Sequence, residues 1–120
     1  MASVMIDQQR TDGRLSTGTF NLGPIGQIPI GEGREFEVHG RLVAVFHARD
    51  GRLYATQASC PHLGGKLADG VVGGAQVICP LHAYRYDLRD GGALNSACDA
   101  LQTFPVWVMA GGDMIVQLQA

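Results

Sequence analysis

Two short runs of the chain concentrate residue types that bind metals. CPHLGG spans residues 60 to 65, and CPLHAYRYDL spans residues 79 to 88. Together they take two of the three cysteines and two of the four histidines, and a proline follows each cysteine. The spacing is Cys60-x-His62, then sixteen residues, then Cys79-x-x-His82. In extended backbone, residues two apart project to the same side, so Cys60 and His62 can face one site together. The second pair fits a turn that follows the apolar step Val77-Ile78. Two loops that each offer one thiolate and one imidazole make a four-ligand clamp. Such a clamp suits zinc or a cluster whose two irons are ligated differently.

The elements that must position these loops are short and rich in β-formers. RLVAVFHARDGRLYAT (41 to 56) is two such runs joined at Asp50-Gly51, a strong hairpin signal. YRYDL and GALNS flank Arg89-Asp90-Gly91-Gly92, and FPVWVM and DMIVQL flank Ala110-Gly111-Gly112, giving two more hairpin candidates. REFEVHG (34 to 40) alternates, with Phe36 and Val38 on one side, and AQVICP (75 to 80) reads as a short buried strand. Nowhere do apolar residues hold the 3.6-residue period of a helix for ten residues or more. The reading is all-β: a sandwich or barrel of short antiparallel strands, with both Cys/His runs at strand ends. Residues 1 to 18 read as a flexible polar tail and 19 to 120 as a single domain.

Composition narrows the function classes. With 46% hydrophobic and 17% charged residues in 120, the chain is globular and long enough for a core of its own. A net charge of -2 gives no electrostatic case for nucleic acid or an anionic membrane. No signal-peptide pattern and no membrane-span-length apolar run is visible, so a soluble cytoplasmic protein is the expectation. Three cysteines in a reducing compartment argue for metal chemistry or free thiols over a disulfide framework. Pro61 and Pro80 stiffen the two loops, and Gly64 and Gly65 allow close backbone approach to a bound group.

The pattern resembles the Rieske [2Fe-2S] domain, in which two cysteines hold one iron and two histidines the other. The likeness runs over residues 20 to 118, from IPIGEGREFEVHGRLVAVFHARDGRLYAT through both loops to FPVWVMAGGDMIVQL. It implies a Rieske-type antiparallel β-sandwich or barrel with a small cluster-binding subdomain, and one [2Fe-2S] cluster per chain. Cys60 and Cys79 would bind one iron, and His62 and His82 the outer one. Zinc fingers usually pair cysteine with cysteine and histidine with histidine on each arm, whereas each arm here is mixed.

Quinol-oxidising Rieske proteins carry two further cysteines that bridge the loops; the matching positions here are Gly65 and Leu81. Rieske oxygenase large subunits add a long catalytic domain, for which no length remains. The resemblance therefore implies a small soluble electron carrier with redox protein partners, a reductase and a terminal oxidoreductase. CPHLGGKLADGVVGG, CPLHAYRYDL and ACDALQTFPV look most like the small subunit of an assimilatory nitrite reductase. The alternatives are the ferredoxin of a ring-hydroxylating oxygenase and a cluster-based redox sensor. No catalytic site of its own is visible: the chain has no nucleophile–base pair, phosphate loop or second metal cluster.

Tyr86 stands where quinol-oxidising relatives place a tyrosine that donates to a cluster cysteine, so a hydrogen bond to Cys60 is expected. Tyr84 occupies the position where high-potential relatives usually have serine. That places the expected potential in the lower part of the Rieske range of about -150 to +300 mV. Cys98 reads as a buried or half-buried thiol, Trp107 as a core or cover residue, and His39 and His47 as surface or structural histidines.

Overall fold

The computed structural model describes residues 17–61, 64–81 and 83–119. Its strands are β1 (Thr17–Pro24), β2 (Glu32–Val38), β3 (Arg41–His47), β4 (Leu53–Gln57), β5 (Val71–Gly73), β6 (Gln76–Ile78), β7 (Arg85–Asp87), β8 (Thr103–Phe104), β9 (Val106–Val108) and β10 (Asp113–Gln119). Two single-turn 3-10 segments, Ile25–Gln27 and Leu67–Asp69, are the helical elements among the described residues. The strands form three antiparallel sheets with orders β1-β10-β9, β2-β3-β4-β8 and β5-β6-β7. The expected all-β class is therefore what the chain adopts. β1 opens at Thr17, paired with Gln119, so residues 17 and 18 of the expected tail belong to a strand. Residues 1 to 16 of that tail lie outside the described residues.

The central strand explains how the sheets stack. Val43, Ala44, Val45 and Phe46 of β3 are all fully buried. Side chains alternate across a strand, so a run buried at every position needs cover on both faces. Val43 and Val45 join Ile28, Phe104, Met114 and Val116 in a core between the first two sheets. Ala44 and Phe46 join Leu67, Val77, Tyr86, Leu88 and Leu101 in a second core beneath the small β5-β6-β7 sheet. The small sheet is thus a subdomain laid on the far side of β3, and both Cys60 and Cys79 belong to its core.

The turns follow local chemistry. Between β3 and β4, Gly51 takes a left-handed φ of 89°, and the Asp50 carboxylate accepts the Arg52 N–H at 2.9 Å, as the Asp-Gly step requires. The β9–β10 hairpin closes with Gly112 N–H donating to the Met109 carbonyl at 2.8 Å. The expected hairpin at 89–92 is only half formed: Gly91 N–H donates to Asp87 O at 2.7 Å, and the returning arm makes a single bridge, Tyr86 with Ala93. FPVWVM, read as one run, is divided at Pro105. β8 pairs with β4 and β9 with β10, because proline has no N–H to continue a ladder. The Pro105 carbonyl instead accepts the Gln117 N–H at 2.9 Å.

Phe46 lies over its cross-strand partner Gly33. A Cβ on Gly33 would stand 2.6 and 2.7 Å from the Phe46 ring and 3.3 Å from the Ala68 backbone. The overlap, about 1–3 kcal/mol, outweighs the ~0.5–1 kcal/mol that alanine gains over glycine in a strand. Gly33→Ala is therefore expected to lower stability in urea unfolding. An unchanged midpoint would show that the subdomain seats on β2 and β3 without this contact.

Candidate metal centre

The first loop leaves β4 and is closed from within. Ser59 bridges to Lys66, Cys60 N–H donates to the Gly65 carbonyl at 2.8 Å, and Gly64 N–H donates back to the Cys60 carbonyl at 3.1 Å. Gly64 takes a φ of 70°, a turn conformation that favours glycine. The second loop joins β6 to β7 and is closed by Cys79 N–H donating to the Tyr84 carbonyl at 2.7 Å. Rigid antiparallel strands below thus hold both loops at one end of the small sheet.

The two cysteines meet there. Cys60 is 2% exposed and Cys79 is 1% exposed, and both are free thiols. A Cβ on Gly65 would stand 2.8 Å from Cys79 Sγ and 3.3 Å from the Leu81 side chain. The backbone of the first loop therefore runs against the cysteine of the second, and only a glycine allows that approach. Gly65 and Leu81, the positions that match the bridging cysteines of the quinol-oxidising group, are neighbours across the cleft. His62 and His82 lie outside the described residues.

Tyr86 is fully buried at the centre of β7, and its hydroxyl lies 3.2 Å from Cys60 Sγ. The expected Tyr86–Cys60 contact is present. Burial pushes the tyrosine far above its ordinary titration range, and the neighbouring Cys60 and Cys98 push it the same way. It stays a neutral phenol, able to donate to a thiolate at Cys60. Burial also raises the Cys79 thiol; the Leu81 backbone N–H pulls it back down, and Cys60 raises it further. Protein groups alone thus favour the protonated thiol, and a thiolate at this place calls for the positive charge of a metal. Two buried thiols side by side, a glycine-walled cleft and a phenol aimed at one sulfur form a donor set that fits a [2Fe-2S] group.

Other singled-out residues divide clearly. Cys98 is half-buried and packs against the same core as Tyr86. His47 bonds the Ile28 carbonyl through Nδ1 at 2.8 Å, and the exposed His39 ring lies 4.7 Å from that of Phe20; one is structural and the other a surface histidine, as expected. Trp107 is neither core nor cover: with 42% of its surface exposed, it points outward from β9, whose three residues alternate too briefly to bury it. Sequence reasoning missed Asn95, which bonds the backbone of the second loop at two places.

Comparison with known proteins agrees with this geometry. Residues 19–105 match the model of the Rieske [2Fe-2S] domain. The 3-phenylpropionate/cinnamic acid dioxygenase ferredoxin subunit of Escherichia coli K12 is 35% identical over 97 residues, covering 79% of this chain and 89% of the relative. The ferredoxin of carbazole 1,9a-dioxygenase from Nocardioides aromaticivorans superposes with a TM-score of 0.74 at 28% identity, over 82% of this chain and 95% of the other. A protein from Mycobacterium tuberculosis described as an NADH-dependent nitrite reductase small subunit superposes with a TM-score of 0.80 at 23% identity, over 87% and 97%; that likeness speaks for the fold.

Gly65→Ala drives a methyl group into Cys79 Sγ. The variant is expected to hold iron roughly tenfold or more weakly, read as iron and acid-labile sulfide per chain during chelator titration. Wild-type retention would mean that the loops do not close on each other here.

Proposed function

From membership of the Rieske [2Fe-2S] family, to which this chain belongs, we propose that Cys60 and Cys79 hold one iron of its cluster and His62 and His82 the other. The observation that carries the assignment is the meeting of two buried free thiols across the Gly65 cleft, each beside a loop that also bears a histidine. The bound cluster supplies reversible one-electron exchange. The chain's own residues set where and how easily that occurs. Cys60 and Cys79 sit in an apolar core that keeps water from the sulfurs. Pro61, Gly64, Pro80, Leu81 and Ala83, which flank the two histidines in sequence, are exposed. That contrast supports electron entry and exit on the histidine side.

The protein is a one-electron carrier between a reductase and a terminal oxidoreductase. An oxygenase as terminal partner is supported by the 35% identical dioxygenase ferredoxin subunit, matched over most of its length. The second reading, a nitrite reductase small subunit, is favoured by the phrasing of both loops and of ACDALQTFPV. No helix among the described residues is long and apolar enough to cross a membrane, and a cytoplasmic location accords with the reducing conditions that free thiols and iron–sulfur clusters favour.

Low-temperature EPR of the dithionite-reduced protein tests the assignment. A rhombic signal with the low average g of mixed nitrogen and sulfur ligation is expected; a silent spectrum from reconstituted protein would overturn it. Catalytic turnover with an oxygenase or a nitrite reductase in the presence of a reductase then separates the two partners, and turnover with neither would point to a sensor. The Tyr86 hydroxyl donating to Cys60 Sγ stabilises the more negative, reduced state. Tyr86→Phe removes that donor, so the midpoint potential is expected to fall by roughly 40–60 mV, the one-electron equivalent of ~1–1.5 kcal/mol. An unchanged potential in voltammetry would assign the tyrosine to packing alone.

A further inference from the structure

The second loop holds a non-glycine residue in a conformation that its side chain disfavours. Ala83, next to His82, has a φ of +57°, the left-handed region in which a Cβ crowds the following carbonyl. The Cys79 N–H to Tyr84 carbonyl bond closes the loop just beyond it.

The Ala83 carbonyl is also bonded from the strap that returns after the turn at 87–92. The strap's pairing with β7 begins as a strand would, with the bridge between Tyr86 and Ala93 and with Leu94 N–H donating to the Arg85 carbonyl at 2.9 Å. At the next residue the side chain takes over. Asn95 Oδ1 accepts the Arg85 N–H at 2.9 Å, and Asn95 Nδ2 donates to the Ala83 carbonyl at 3.2 Å. A carboxamide has the donor and acceptor of a peptide group, so Asn95 continues the ladder around a bend that backbone could not follow. The Ala83 carbonyl and the Tyr84 N–H share one peptide plane. Fixing that carbonyl therefore fixes the plane, and with it the direction in which the chain leaves Ala83 for Tyr84.

We propose that Asn95 is a positioning residue of the metal centre: by clamping the Ala83 carbonyl and the Arg85 N–H, it holds Ala83 left-handed and so sets the placement of the loop that carries Cys79 and His82. The inference rests on the ligand assignment given above. Asn95 is exposed and outside both cores, so its replacement acts on the loop and spares the scaffold.

The test compares cluster-loaded wild type with Asn95→Ala, Asn95→Asp, Ala83→Gly and the pair Ala83→Gly/Asn95→Ala. The readouts are the g values of the reduced protein and the rate of cluster loss to a chelator. Asn95→Ala removes both bonds and is expected to shift the g values and to speed cluster loss about fivefold, the factor for the one of them that holds the Ala83 carbonyl. Asn95→Asp keeps the acceptor for Arg85 but loses the donor to Ala83, and should behave alike. Glycine is at ease in the left-handed region, so removing Asn95 in the Ala83→Gly background should change little. Wild-type g values and loss rate in Asn95→Ala would overturn the clamp, as would an equal effect of Asn95→Ala in both backgrounds. If Asn95→Ala fails to load, restored loading in the double variant supports the clamp, and continued failure overturns it. A wild type without the mixed-ligand signal would overturn the ligand assignment itself, which is a separate result.

Discussion

Because Val43, Ala44, Val45 and Phe46 are buried at every position, β3 has to be covered on both faces, and the two covers do different work. One is the β1-β10-β9 sheet, which completes an ordinary sandwich core around Val43 and Val45. The other is the small β5-β6-β7 sheet, which rests on Ala44 and Phe46. The small sheet has three short strands and could not bury enough surface to stand by itself. Its order is borrowed from β3, and Gly33 makes the loan possible by leaving room for the Phe46 ring.

The same arrangement dictates where a metal group can sit. A thiol pair is costly to bury as thiolates and cheap as neutral groups, and the raised Cys79 shows which state the protein alone prefers. Seating both cysteines in the core of the borrowed sheet therefore makes the subdomain's packing and its metal chemistry a single problem. Tyr86 links the two. It is among the largest fully buried side chains, and its one polar atom finds its partner in Cys60 Sγ. A buried phenol that found no partner would cost the fold; here the hydrogen bond that satisfies it also biases the charge on the sulfur.

How much of this was legible depended on whether the controlling interaction was local in sequence. Asp50-Gly51 and Ala110-Gly111-Gly112 announce their hairpins because turn chemistry resides in the turning residues themselves. The two cysteine loops could be picked out because residue type and spacing are written in consecutive positions, and Cys60 and Cys79 do share one core; His62 and His82 lie outside the described residues. Gly65 could be suspected of allowing close approach, but that its neighbour is Cys79 depends on two loops meeting in space. The division of FPVWVM at Pro105 between two sheets was hidden, since the apolar alternation continues through the proline while the hydrogen-bond partners change. The exposure of Trp107 was hidden for a related reason: β9 has only three residues, too few for a period to show which face is buried. Asn95 was invisible because its bonds reach back ten and twelve residues to backbone atoms, which leave no mark on side-chain pattern.

These hidden contacts share a location. The cores fix which strands lie together and the Cys79–Tyr84 bond closes the second loop, yet that loop is also held from the surface, by the strap after β7. Ala83 itself is exposed and belongs to neither core. Its carbonyl is held by one carboxamide with a hydrogen bond at each end. On the proposed reading, in which partners approach by the exposed loop residues, this division has a physical advantage. Loop geometry at the contact surface is open to adjustment by substitutions on the strap, while the buried sulfurs and the Tyr86 donor remain fixed by packing. The fold thus separates what holds the two thiols together from what aims the loop that presents one of them.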